Sequence, residues 1–152
     1  EVIRPELAKK TQKVEVPGKV VIGTVEGDIH DIGKTLVGSM LSSAGYEVFD
    51  LGYDVPAKTF VREARMKKAD ILGLSCSMTM AKMVFKQTIQ ELNKLGLRDN
   101  MKIITGGQAS FENDIKTYGT DAFGACISAA LSQSAELMRI LKEERAKKEV
   151  KA

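Results

Sequence analysis

Lys19-Val-Val-Ile-Gly-Thr-Val25, running straight into Glu26-Gly-Asp-Ile-His-Asp-Ile-Gly-Lys34, decides the fold. The first seven residues are mostly apolar and β-branched, with Pro17-Gly18 before them and Gly27-Asp28 after, the pattern of a strand buried on both faces. The next stretch carries Leu36, Val37, Met40, Leu41 and Ala44 at the 3.6-residue period and stops at Gly45, in the position past a helix end that glycine favours. A buried strand, a short polar loop and an amphipathic helix make half of a parallel βαβ unit.

The pattern repeats outward from there. Residues 46–51 form a second strand, and Pro56 opens a helix with Ala57, Phe60, Val61 and Ala64 inward. Residues 70–75 are a third apolar run, followed by a helix with Val84, Phe85, Ile89, Leu92 and Leu95 inward. A fourth strand over 101–105 ends in Gly106-Gly107, a short helix spans 111–118, and residues 121–124 are a weak fifth strand. The last helix carries Ile127, Ala130, Leu131, Leu137, Met138 and Leu141. Five such units with no spare strand predict an α/β, flavodoxin-like (Rossmann-type) parallel sheet of order 2-1-3-4-5, with helices on both faces. A ligand crevice is then expected at the carboxyl ends of strands one and three, where the order reverses.

The 152 residues amount to one domain, with residues 1–18 as an N-terminal arm, 19–142 as the folded domain and 143–152 as a charged tail. Twenty-three basic against twenty acidic side chains leave +3, too little for a phosphate-tracking groove, and without Trp there is no stacking platform, so no nucleic acid is expected. The longest uncharged stretch, residues 122–135, is 14 residues, against about 20 for a membrane span. Cys76 and Cys126 cannot build a disulfide framework and read as buried thiols. A cytoplasmic location is expected.

The loop of 26–34 holds the chain's single histidine, His30, at the expected crevice. It lacks both the dinucleotide and the Walker glycine spacing. Asp28, two residues before His30, can curl back to one ring nitrogen and leave the other pointing outward. One histidine cannot hold zinc by itself, but it can give one axial bond to a metal already chelated by a macrocycle. Taken alone, a single loop histidine reads first as a structural one; its position and its aspartate weigh toward a ligand.

Gly27-Asp28-Ile29-His30-Asp31-Ile32-Gly33-Lys34 resembles the D-x-H-x-x-G signature of cobalamin-binding domains, in the longer form typical of methionine synthase and of corrinoid proteins in methyltransferase systems. Asp50-Leu-Gly52, Val55-Pro56-Ala57, Gly73-Leu-Ser75 and Ile104-Thr-Gly106-Gly107 agree further along, so the likeness covers about residues 18–140. It implies a cofactor, cobalamin (methylcobalamin, cob(I)alamin or a related corrinoid), bound base-off with its nucleotide threaded into the domain. His30 would be the axial ligand to cobalt and Asp28 its hydrogen-bonding partner, together the catalytic pair. Gly33 and Gly38 would let the nucleotide pass close to the first helix; Ser75, Ser77 and Thr79 would contact it; Gly106 and Gly107 would border it. The Gly124-Ala-Cys126-Ile127-Ser128 loop corresponds to a ring-contacting segment. Two departures stand out: the leucine of the family's S-x-L is Ser77, and the serine that completes the histidine–aspartate relay falls at Ala81, leaving Ser77 or a water to substitute.

The resemblance implies a methyl carrier between a methyl-donor methyltransferase and an acceptor methyltransferase using a reduced folate or a thiol, a subunit and not a complete enzyme. The alternatives are the small subunit of an adenosylcobalamin-dependent mutase and a corrinoid storage or sensor module. Related corrinoid proteins cap the upper corrin face with an N-terminal helical domain, of which Glu6-Leu-Ala-Lys-Lys10 would be the remnant. A homodimer, or a partner methyltransferase, is therefore expected to cover that face.

Overall fold

The computed structural model describes residues 16–152, so the Glu6–Lys10 remnant lies outside the described residues. The elements run β1 (Lys19–Thr24), α1 (Ile32–Ser43), β2 (Glu47–Asp50), α2 (Ala57–Lys67), β3 (Ile71–Ser75), a 3₁₀ turn (Thr79–Lys82), α3 (Met83–Lys94), a second such turn (Arg98–Asn100), β4 (Lys102–Gly106), α4 (Asp114–Tyr118), β5 (Ala122–Gly124) and α5 (Ile127–Lys151). The strands form one sheet of order β2-β1-β3-β4-β5, parallel throughout, as the sequence predicts.

Alternation along the strands builds two cores. Val21, Leu72, Leu74 and Ile103 face α2 and α3, meeting Phe60, Phe85 and Leu92. Val20, Ile22, Ile71 and Ile104 face the other way, toward Leu41 of α1 and Ala130, Leu137 and Met138 of α5. The register pairs Ile22 with Gly73 and Gly73 with Ile104, so three central strands present a glycine between two isoleucines on that second face.

Helix α1 departs from its expected inner face. Leu36 and Met40 are about half exposed, while Lys34, Gly38 and Leu41 are buried. A Cβ at Gly38 would lie 3.7 Å from Val48 and 3.9 Å from Ile22, so the helix approaches the sheet closely at Gly38 and turns Leu36 and Met40 outward. At the chain's other end, the charged residues after Leu141 continue α5 to Lys151, and Arg145 pairs with Asp70 at 2.8 Å. Among the described residues, no helix is long and apolar enough to cross a membrane.

Candidate functional site

The sheet order reverses between β1 and β3, and the loops at their carboxyl ends surround the mouth of a cavity of about 600 Å³. Its floor is the second face of the sheet, Val20, Ile22, Gly73, Ser75 and Ile104; its walls include Val37 and Leu41 of α1 and Ala130 and Ser134 of α5. A Cβ on Gly73 would stand 3.0 Å from Ile22, and one on Gly124 3.0 Å from Ala130, so two glycines keep the floor and the mouth free of side chains.

Asp28 and His30 stand at the mouth. The Asp28 side chain is fully buried and the His30 side chain is 63% exposed. Asp28 Oδ1 accepts the His30 backbone N–H at 2.9 Å and lies 2.6 Å from His30 Nδ1. The two-residue spacing makes this possible, because an aspartate carboxylate reaches the N–H two positions on and closes an Asx turn. Oδ2 accepts the Ser77 N–H at 2.5 Å, and the Thr24 hydroxyl donates to the His30 carbonyl at 3.2 Å. Burial pushes the Asp28 carboxyl up, but the N–H groups of Ser77 and His30 and the His30 ring outweigh it and hold the group below its ordinary value. Asp28 is thus an anion that fixes the ring by Nδ1 and leaves Nε2 free. Among the described residues no three His, Cys, Asp or Glu side chains converge to hold a metal, so His30 is a lone imidazole donor.

The segment after β3 supplies the Asp28 partner and is itself braced. Lys82 pairs with buried Asp114 at 2.6 Å and lies over the rings of Phe111 and Tyr118. Gly107, at φ +101°, lets its turn pass over Cys76, whose carbonyl oxygen would lie 2.3 Å from a Cβ there. Ser77 meets Asp28 through its main-chain N–H, while its hydroxyl accepts the Gln108 N–H at 3.4 Å.

Of the residues expected at the site, Ile29, His30, Asp31, Ile32, Gly33, Ser75, Ser77, Gly106 and Gly107 line the cavity together. Asp28 lies beneath the mouth, Gly27 in the turn before it with its N–H on Asp54 Oδ1, and Thr79 is exposed at the start of the 3₁₀ turn. Gly124, Ala125, Cys126 and Ile127 also line it. Cys76 is buried as expected, whereas Cys126 is exposed at the mouth, because it caps the start of α5 where no element covers it.

Two residues escaped the sequence reading. Lys34 has a side chain only 2% exposed, with its ammonium 2.5 Å from Asp50 Oδ1, which also accepts the Gly52 N–H. Ser134 is buried against the cavity with no hydrogen-bond partner for its hydroxyl among the described residues. The spacing Ala130, Ser134, Leu137, Leu141 marks it as a polar residue on an apolar stripe.

Residues 18–125 match the family described as B12 binding domain. Trimethylamine corrinoid protein 1 of Methanosarcina acetivorans is 41% identical over 133 residues, covering 88% of this chain and 62% of that protein. Among solved structures, the Methanosarcina barkeri monomethylamine corrinoid protein superposes with a TM-score of 0.74 at 34% identity, over 90% of this chain and 64% of that one. The methanol:cobalamin methyltransferase complex of the same organism gives 0.73 at 29% identity, over 88% and 52%. The chain spans about three-fifths of the length of the curated relatives it matches.

Proposed function

This chain belongs to the B12-binding domain family, and from that premise we propose that it carries a methyl group on a corrinoid between two methyltransferase proteins. The observation that carries the reading is the buried Asp28 carboxylate 2.6 Å from His30 Nδ1, which leaves Nε2 as the outward donor. His30 would hold the cobalt from below through that nitrogen. Exposed Ile29, Ile32, Met78 and Met80 give the surroundings an apolar collar that a macrocycle would cover. The cavity beside it is largely apolar and would take the nucleotide tail past Gly33, Ser75, Gly106 and Gly107.

When bound, the corrinoid supplies a cobalt nucleophile that accepts and gives up a methyl group. The protein's part is electrostatic and positional. Asp28 would hold the proton at Nδ1 so that Nε2 serves as the donor to the metal. Ser77 N–H fixes the second carboxylate oxygen, so Asp28 cannot swing away from the ring. Separate proteins would supply the donor and acceptor sites. The methylamine corrinoid proteins and the methanol:cobalamin methyltransferase complex among the relatives support a carrier over a mutase subunit. The complex likewise supports a methyltransferase partner; a second copy of the chain is the other cover proposed for the cofactor's open face.

The test is the absorption spectrum of the loaded protein beside that of His30→Ala. A histidine-ligated spectrum in the parent and a base-off spectrum in the variant are expected. Identical spectra, or a cofactor whose own base still ligates cobalt in the parent, would refute the reading.

A further inference from the structure

Ser134 lies seven residues into α5 from Ile127 at the mouth, about 10 Å down the cavity at 1.5 Å per residue. It is 1% exposed, and the cavity it lines is walled mainly by apolar side chains, Val20, Ile22, Val37, Leu41, Ile104 and Ala130 among them. Several helical hydroxyls bond the carbonyl four residues back, as Ser43 does to Ser39, buried Thr88 to Val84 and Ser132 to Ser128. Ser134 makes no such bond and is left unpartnered. A buried hydroxyl with no partner is costly, so one facing a cavity marks the place where a ligand heteroatom belongs.

We propose that the Ser134 hydroxyl reads the far edge of the corrinoid's nucleotide base and selects bases that present a nitrogen there. The inference rests on the reading that the nucleotide occupies this cavity. A purine edge offers a ring nitrogen to which the hydroxyl donates, or an amine from which it accepts. A dimethylbenzimidazole edge offers only methyl groups and leaves the hydroxyl unpaired. One hydrogen bond of ordinary net strength corresponds to about a tenfold preference.

The test titrates the cofactor-free chain with three probes followed by absorbance: an adenine-based cobamide, dimethylbenzimidazole-based hydroxocobalamin, and cobinamide, which has no nucleotide. The parent is expected to bind the adenine form about tenfold more tightly than the dimethylbenzimidazole form. Ser134→Ala erases that ratio, Ser134→Thr keeps it, and cobinamide binds all three proteins alike. A parent without the preference, or a preference that survives in Ser134→Ala, overturns the inference; the parent measurement decides even where a variant fails to fold. Cobinamide binding the parent as tightly as the complete cobamides would instead place the nucleotide outside the cavity, and the reading beneath this inference would fall with it. Weaker cobinamide binding with no base preference defeats the role of Ser134 alone.

Discussion

Asp28 spends both oxygens on fixed donors, two from His30 and one from Ser77, and that leaves the imidazole one orientation. The pair was legible in the sequence because Asx turns close over a fixed two-residue reach. Lys34 was not, since a lysine after a loop glycine reads as solvated; its partner Asp50 is 16 residues away on another element. The two thiols differ in a way that alkylation can measure. The Ser128 hydroxyl first, and then the N–H groups of Ala129 and Ser128, hold the Cys126 thiol below its ordinary 9.0, while burial pushes Cys76 up. A lowered value means more thiolate at a given pH. The iodoacetamide rate at Cys126, followed by mass spectrometry, should therefore reach half its plateau below pH 9, and Ser128→Ala should move that midpoint upward. Cys76 should stay unmodified until the protein unfolds, and loading with corrinoid should slow the reaction at Cys126.

Helix α1 is held to β2 by a buried cation. Removing the aspartate strands a buried ammonium, whereas an apolar residue in place of the lysine leaves only the Asp50 carboxylate, which is 36% exposed and keeps the Gly52 N–H. Asp50→Ala should cost about 3 kcal/mol by urea unfolding, and Lys34→Met less than half as much; equal losses would contradict the buried pair. Gly33, on the same helix, has nothing within 4 Å of a would-be Cβ, whereas Gly107 would drive one into the backbone of Cys76. Gly33→Ala should therefore leave the cofactor-free protein as stable or up to about 0.5 kcal/mol more so, while weakening corrinoid uptake. Gly107→Ala should cost about 3 kcal/mol in the absence of any cofactor. The strand order was legible because each strand is an apolar run between turn residues. The inner face of α1 was not: periodicity finds a helix but cannot tell which apolar residues face inward when a glycine permits a closer approach. Ser134 was hidden for a related reason, since a serine in a helix is ordinary until its neighbours are known to be apolar.

At the scale of the molecule, Ile29 and Ile32 after β1 and Met78 and Met80 after β3 leave large apolar side chains exposed at the carboxyl end of the sheet. If a second copy covers them, light scattering of the loaded chain should give twice 16.6 kDa; a loaded monomer with no partner would leave a methyltransferase as the cover. Helix α5 joins this end of the domain to the other. It begins at Ile127 beside the cavity mouth and is fastened near its far end, where Glu144 meets Lys102 and Arg145 meets Asp70. Between these points Ala130, Leu137 and Met138 seat it on the sheet, so a space between helix and sheet widens only if that packing and the far ion pairs give together. Admission of a long guest should then be slow, and cutting those distant clamps should hasten it without touching the berth itself.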